Sequence, residues 1–369
     1  MIIITFLLIA GAIQGFLLSI VLFTISRTNK TANRILALVI IIFSLSISVH
    51  ALIHAELIFN IPYHPEVLQL LFYLLGPLLY FYLLALTEID FQFKNRLYLH
   101  FIPFFAACLT FFPLYAEILA NPSHVDSSIF DEICIIQTWI LIAHFVIYIF
   151  LCFRKLHIHS QDVKQSHSSL EKVNLDWLKL LLTGILITWI VGICVEFLTI
   201  KPAAWDIVWL IVSIIIYMIG YMGLKQPAIF QGKGLDEQKS SIKSKYEKST
   251  LKPELAEEYI KKLNEYMESE KPYLESDITL YSLASKLSIS AHHLSRIINE
   301  RFNRNFFEFI NEYRIEEAKK LIVDPLNHNI NIASLGLDAG FNSVSAFNAA
   351  FKKYTGMAPS QYRISDTNS

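Results

Sequence analysis

Long apolar stretches dominate the first 223 residues of the chain, and shorter amphipathic stretches follow them. Seven of the apolar stretches are long enough to cross the hydrocarbon core of a bilayer, which takes about 20 residues of α-helix. They lie near residues 2–25, 35–59, 67–87, 99–119, 133–153, 177–199 and 203–223. This pattern predicts an all-α chain that begins with a seven-helix transmembrane bundle over residues 1–223, the sensor domain.

Polar residues replace the apolar ones after the last predicted span. Residues 224–253 are rich in Lys, Ser, Gln and Gly and lack apolar periodicity, which predicts a flexible tether. Residues 254–269 then form a predicted linker helix with one apolar stripe, made of Leu255, Tyr259, Leu263 and Tyr266. Such a stripe either docks on the domain that follows or pairs two copies of the chain.

Residues 270–369 carry two helix-turn-helix patterns. In the first, Thr279 caps a short amphipathic helix, and a tight turn follows at Ser288. Ser290 then caps a candidate recognition helix over residues 291–302. The apolar positions predicted to hold this unit together are Leu283, Ala284 and Leu294. The outward positions near the helix start, where major-groove readers place base-contacting side chains, are His292, Ser295 and Arg296.

The second pattern follows a long helix over residues 306–321, which is rigid enough to fix two readers relative to each other. Its turn lies at Gly340 and Phe341, where Gly permits the backbone reversal and Phe fills the core. Ser343 caps the second recognition helix, residues 344–354. The inward positions of this helix are Phe347 and Phe351. The outward positions are Val344, Ser345 and Asn348 toward the bases, with Lys352 and Lys353 toward phosphate.

These residues 270–369 resemble the DNA-binding domain of AraC-type transcription regulators. The resemblance rests on five motifs at consistent spacing: His293-Leu294-Ser295-Arg296, Tyr313-Arg314-Ile315-Glu316-Glu317-Ala318, Ala339-Gly340-Phe341-Asn342-Ser343, the run from Phe347 to Gly356, and Pro359-Ser360-Gln361-Tyr362-Arg363. It covers about a quarter of the chain. It implies two recognition helices that enter successive major-groove segments on one DNA face. The arrangement as a whole is similar to membrane-anchored AraC-type regulators of bacteria.

Three positions depart from the family pattern. Ala349 stands where many members carry a long polar side chain, so we expect base reading to depend mainly on the first unit. Gly336 lies inside a helix where Ala is usual, which should cost about 1 kcal/mol in helix propensity. Asn303 replaces a Gly after the first recognition helix, and Asn tolerates the left-handed backbone needed there.

The charges of the loops predict the orientation of the spans. The loops after the first, third and fifth spans hold nine Lys and Arg residues, whereas those after the second, fourth and sixth hold one, Lys201. The positive-inside rule therefore places the N-terminus outside and the DNA-binding domain in the cytoplasm. No basic run precedes the first apolar stretch and no cleavage pattern follows it, which predicts a retained span.

Composition agrees with a membrane part followed by a soluble part. Hydrophobic residues make up 54% of the chain and charged residues 17%, against roughly a quarter charged in ordinary soluble domains. The four cysteines lie in apolar segments without paired spacing, so they predict buried hydrophobes and neither disulfides nor a metal site: Cys108, Cys134, Cys152 and Cys194. No phosphate-binding or dinucleotide motif occurs, and no cofactor is expected.

Polar groups inside the predicted spans are candidate functional groups, because ionisable residues are expensive in a bilayer. They are His50, His54, Glu56, Gln69, Gln137, His144, Glu196 and Asp206. Since His50 and His54 are four residues apart, they share a helix face and could form a metal or proton site with His144 or Glu196. The alternative is that these groups hydrogen-bond to neighbouring helices or face a small wet cavity.

The sequence thus predicts a one-component transcriptional regulator anchored in the bacterial cytoplasmic membrane. Its expected partners are double-stranded promoter DNA, RNA polymerase, the lipid bilayer, an unidentified signal ligand and a second copy of the chain. From residue 270 onward, 11 Lys and Arg residues balance 11 Asp and Glu residues, so non-specific DNA affinity should be modest and salt-sensitive. The alternatives are a transporter or channel with a C-terminal docking module, and a helical bundle that makes only protein contacts. A membrane enzyme would need a catalytic set that we do not find at recognisable spacing.

Overall fold

The computed structural model of the chain describes residues 2–24, 29–55, 57, 64–88, 91–120, 127–171, 173–197, 204–225 and 253–367. Within those ranges the regular elements are all helical, which confirms the predicted class. The chain forms two compact units: Met1–His157 with Leu175–Gly234, and Ile158–Asn174 with Leu235–Ser369. Apart from its two ends, the predicted tether lies outside the described residues.

The first unit is a bundle of apolar helices. They are α1 (Ile2–Thr24), α2 (Lys30–His54), α3 (His64–Gln69), α4 (Phe72–Thr87), α5 (Ile102–Ala120), α6 (Ser127–Ser166), α7 (Asp176–Phe197) and α8 (Ala204–Lys225). A 3-10 turn over Asn95–Phe101 precedes α5. The last part of α6 belongs to the second unit.

Small residues let α1 pack closely against two neighbours. A Cβ built on Gly11 would lie 2.5 Å from the Ser213 hydroxyl of α8, and one built on Gly15 would overlap the Ser44 hydroxyl of α2. One turn later, the Ser19 hydroxyl donates to the Ala37 carbonyl at 3.3 Å. Spacing of four residues places these positions on one stripe, and small-residue stripes of this kind are typical of helix contacts in membranes.

Among the residues that the structure describes, six helical segments are long and apolar enough to cross a membrane: Ile2–Thr24, Lys30–His54, Val67–Thr87, Asn95–Glu117, Phe130–Ser166 and Asp176–Val195. Within the described residues the seventh predicted span is represented by a shorter apolar helix, Ala204–Ile219. The count of seven therefore stays a prediction. The third predicted span contains a break between α3 and α4, and α2 ends at His54, five residues before the predicted end.

The helix that contains the fifth predicted span extends beyond the predicted C-terminal end. We predicted that it ends at residue 153, but α6 continues to Ser166 over 40 residues in all. No Gly or Pro interrupts this stretch, and Leu156, His159 and Val163 are buried along one face of the extension. The extension is therefore a packed amphipathic helix and not the loop that its charges indicated.

The second unit contains the two predicted helix-turn-helix patterns. Its helices are α9 (Pro253–Ser269), α10 (Leu280–Leu287), α11 (Ala291–Arg301), α12 (Phe306–Val323), α13 (Ile332–Asp338), α14 (Val344–Thr355) and α15 (Pro359–Thr367). The predicted recognition helices correspond to α11 and α14, each within one residue of the predicted end. The predicted caps are present as well: the hydroxyls of Thr279, Ser290 and Ser343 accept backbone N–H bonds of the helices that follow them.

Each helix-turn-helix has its own apolar core. Leu283, Ala284 and Leu294 are buried in the first, with Phe306, Phe309 and Ile310 of α12. The second core contains Phe341, Phe347 and Phe351, together with Ile315, Ala318 and Ile322 from the later turns of the same α12. Because one continuous helix contributes to both cores, α12 joins the two helix-turn-helix units, as predicted.

Left-handed backbone occurs at the positions where the sequence predicted reversals. Ser288 has φ 56° in the first turn, and Gly340 has φ 94° in the second. Asn303, after the first recognition helix, has φ 51°. The substitution of Asn for Gly at that position is thus compatible with the required conformation, as expected.

The linker helix α9 docks on the first core. Leu263 and Met267 are fully buried in that core, and Tyr266 packs against it half-buried. Of the two uses that the sequence left open for the stripe, docking is the one found in the structure. Tyr259 is half-buried and lies near the ring of His293 on α11.

Replacing Gly336 with Ala is expected to destabilise the second unit by about 1–3 kcal/mol, despite a gain in helix propensity of about 1 kcal/mol. A Cβ there would lie 2.4 Å from Cδ1 and 2.5 Å from Cγ of Phe347, whose side chain is fully buried. Amide exchange in the second unit at increasing urea concentrations measures the change in its free energy of unfolding. Ser334→Ala, at an exposed position of the same helix, is the control, and a more stable Gly336→Ala variant would contradict the packing argument.

Candidate DNA interface

The N-terminal part of α11 presents the three residues predicted as base readers. His292 is exposed, and Ser295 and Arg296 are half-buried. The Ser290 hydroxyl accepts from the His293 backbone N–H at 3.1 Å, which fixes the start of the helix. Arg296 donates to the Glu300 carboxylate one turn later at 2.8 Å. Exposed pairs of this kind contribute only about 0.3–0.5 kcal/mol, so the guanidinium can exchange Glu300 for a base or a phosphate.

The outward face of α14 is free of bulky polar side chains at its start. Val344, Ser345, Asn348 and Ala349 are all exposed. Among the exposed residues of this first part of the helix, Asn348 alone has an amide that could form two hydrogen bonds with one base. The larger share of base reading predicted for the first recognition helix stays a prediction.

Both lysines at the end of α14 are exposed. They differ in that Lys353 also forms a 3.1 Å ion pair with Glu308 of α12. Burial raises the pKa of Glu308, but the bond from Lys353, the bond from the Asn305 backbone and nearby cations lower that pKa on balance. Lys353 thus also connects the second recognition helix to α12.

A buried arginine of α12 stabilises the connection between α9 and α10, a role that the sequence did not predict. Arg314 is 1% exposed, and its guanidinium donates to the carbonyls of Tyr273 at 2.7 Å, Glu275 at 2.8 Å and Ser276 at 3.2 Å. Two further bonds, both 3.2 Å long, reach the carbonyl and the hydroxyl of Ser168. Burial lowers the pKa of Arg314 to about 10, although the Asp277 carboxylate raises it.

In the first unit, the two histidines of α2 bind an acidic residue that the predicted site did not include. His50 Nε2 lies 2.8 Å from Oδ1 of Asp206 on α8, and His54 Nε2 lies 3.3 Å from Oδ2. The other ring nitrogen of His54 lies 2.9 Å from the Thr5 hydroxyl. Asp206 and both histidines are ionisable residues inside predicted spans, which is the signal that could have found the cluster.

The two other members of the predicted intramembrane site are His144 and Glu196. His144 packs against the rings of Tyr73 and Tyr148 at 5.6 and 4.7 Å between centroids. Within the described residues, neither of its ring nitrogens has a hydrogen-bond partner. The side chain of Glu196 lies outside the described residues. In the described part of the chain, no group of three or more His, Cys, Asp or Glu is arranged to hold a metal ion.

Comparison with known proteins places the resemblance in the same part of the chain. Residues 283–365 match a family model described as a helix-turn-helix domain. The Msm operon regulatory protein of Streptococcus mutans is 31% identical over 88 residues, which are 24% of this chain and 31% of that protein. The transcriptional activator AarP of Providencia stuartii is 31% identical over 94 residues, 26% of this chain and 67% of AarP.

A solved structure is also similar to part of this chain. The C-terminal domain of AraT, a response regulator from Geobacillus stearothermophilus, is 29% identical, with 32% of this chain and 88% of that chain covered and a TM-score of 0.26. The chain spans about a third of the length of the Msm regulator and two thirds of AarP.

Proposed function

Because the chain belongs to the AraC-type family of helix-turn-helix transcription regulators, we propose that it is a membrane-anchored one-component regulator and not an enzyme. In this proposal residues 1–223 span the bilayer seven times and receive a signal. Residues 224–253 tether the linker helix 254–269 and the DNA-binding domain 270–369. The observation that carries the proposal is that the described part of one chain contains both the two helix-turn-helix cores and six apolar helical segments of membrane-spanning length.

The orientation follows from the loop charges. With nine basic residues in one set of loops and one in the other, the DNA-binding domain faces the cytoplasm and the N-terminus lies outside. Promoter DNA is then the partner, with RNA polymerase and a second copy of the chain as further partners. The cluster of His50, His54 and Asp206 is the candidate place in the membrane where a signal acts.

Base reading is proposed for the outward residues of both recognition helices, with His292, Ser295 and Arg296 carrying most of the specificity. Replacing all three with Ala in the full-length protein in lipid nanodiscs is expected to lower the preference for its best genomic DNA fragment at least tenfold. Each lost base contact is worth about 1–3 kcal/mol of discrimination. Anisotropy titrations against that fragment and a scrambled one measure the ratio.

The matched control for this experiment is Arg301→Ala. It removes one arginine from the far end of the same helix, where the guanidinium pairs with Glu257. We expect this variant to keep the preference of the wild type. Selective binding that survives the triple change would refute the proposed readers.

Transcript profiling distinguishes the regulator from the rival proposal, a transporter with a C-terminal docking module. A deletion strain is compared with a strain that lacks only the residues after Gly234. The regulator proposal expects the same genes to change in both strains, whereas a transporter that keeps its membrane part should leave transcription unchanged in the second. If neither strain changes transcription, the chain is not a regulator.

A further inference from the structure

A polar segment that precedes the sixth predicted span lies against both recognition helices. Residues 165–171, here called the docked segment, include the last two residues of α6 and belong to the same unit as the recognition helices. An antiparallel bridge between His167 and Thr279 attaches the segment to the start of α10. The Ser168 backbone N–H donates to the Ile278 carbonyl at 3.2 Å.

The docked segment contacts the first reader on its outward face. The Asn299 side chain donates to the Gln165 side-chain oxygen at 3.2 Å and to the Ser295 hydroxyl at 3.3 Å. Ser295 is one of the three proposed base readers. A helix that enters the major groove turns this face to the DNA, so the Gln165 contact lies on the surface that the duplex needs.

At the second reader the segment contacts the residues that begin α14. The Asn342 amide donates to the Ser169 hydroxyl, and the Ser343 hydroxyl donates to the Glu171 carboxylate. Ser343 caps α14, and the start of a helix attracts anions because its N–H groups are unpaired and its dipole is positive there. Glu171 therefore lies where a DNA phosphate would be favoured.

Between these two contacts, Ser168 lies deep in the unit. It is 2% exposed, and both its carbonyl and its hydroxyl accept from Arg314. Around it, the contacts of Gln165, Ser169 and Glu171 are hydrogen bonds at exposed or half-buried positions, so water can replace them when the segment leaves. Such a contact is suited to reversible docking.

We infer that the docked segment and DNA compete for the recognition helices, so that the form in the structure is the closed form of the regulator. This inference rests on the proposed function, because it concerns the same DNA-reading surface. The major groove is about 12 Å wide and a helix with its side chains is about 10–12 Å across. A recognition helix fills the groove and leaves no room for a second chain segment, and Glu171 would meet a phosphate of like charge. Since α6 runs into the docked segment, a signal that shifts this helix would act directly on the contact.

Weakening the contact is expected to raise DNA affinity. We propose to replace Ser169 and Glu171 with Ala in the full-length protein in nanodiscs and to titrate the fragment that the wild type, or this variant, selects from genomic DNA. The expected result is about tenfold tighter binding, within the range usual for coupled sites. Asp162→Ala removes the same charge from an exposed position of α6 and should leave the affinity unchanged. Equal affinity in the wild type and the double variant would overturn the inference.

Locking the contact is the converse test. In a full-length variant whose four native cysteines are replaced, Ser169→Cys and Asn342→Cys are joined by a short thiol crosslinker. Crosslinking should proceed efficiently without DNA, lower DNA affinity at least tenfold, and be fully reversed by cleaving the crosslink. Failure to crosslink, or unchanged affinity of the crosslinked protein, would refute the docking.

If no protein in the series binds any fragment selectively, the proposed function fails as well. If binding is selective but indifferent to these changes, only this inference fails.

Discussion

Replacing Arg314 with Ala is expected to destabilise the DNA-reading unit by about 3–5 kcal/mol. The change removes five hydrogen bonds from a guanidinium that is 1% exposed. Three of the acceptors are carbonyls of residues 273–276, which connect α9 to α10. A buried acceptor without a partner costs about 1–3 kcal/mol, and water that enters the cavity recovers part of that loss.

The measurement is the free energy of unfolding of the second unit, taken from the slowest-exchanging amides of α12 in the full-length protein. Lys320→Ala is the control, since it lies on the same helix with its side chain 75% exposed. We expect Arg314→Lys to fall between the wild type and Arg314→Ala, because an ammonium keeps the charge but cannot reach several acceptors in one plane. A loss below 1 kcal/mol for Arg314→Ala would contradict the central role of this side chain.

Gly340→Ala is expected to cost about 3 kcal/mol or more, for two reasons that can be separated. The residue has φ 94°, and an L side chain in the left-handed region costs about 1–2 kcal/mol. In addition, a Cβ would lie 2.4 Å from the Tyr273 carbonyl oxygen and 2.8 Å from the Cα of Leu274. Backbone atoms cannot rotate away as a side chain can, so overpacking adds about 1–3 kcal/mol.

Gly356→Ala provides the matched control. Gly356 also has a positive φ, 80°, but nothing lies within 4 Å of a Cβ built there. Its loss of stability reports the backbone strain alone, and the difference between the two variants reports the collision with Tyr273. Equal losses for the two variants, measured by the same amide exchange, would show that the close approach is unimportant.

The Tyr273 carbonyl connects these two predictions. It accepts from Arg314 Nε and also lies against Gly340. The second turn thus needs a glycine because of the chain before α10, as well as for the backbone reversal that the sequence predicted. Gly336 is needed for packing as well. A Cβ at this position would collide with the ring of Phe347, which explains why the helix has a Gly there despite its cost in helix propensity.

Local signals made the DNA-reading unit predictable. The capping hydroxyls of Thr279, Ser290 and Ser343 act on N–H groups three residues away, so their effect can be read directly from the sequence. Positions such as Phe347 and Phe351 repeat with the helical period and were predicted as core, and both are fully buried. The apolar helices of the first unit were predictable for a similar reason, since length and composition suffice for them.

The sequence by itself determined the helices, the caps, the two cores and the resemblance to AraC-type regulators, because these depend on residues within a few turns of each other. Only the tertiary structure decided which partner each polar group has. Asp206 meets His50 across 156 positions of the chain, Arg314 meets Ser168 across 146, and Asn342 meets Ser169 across 173. A hydrogen bond needs only a suitable donor and acceptor at about 3 Å, and the chain offers many of both. The choice among them depends on which segments the apolar cores bring together, and a local pattern does not contain that information.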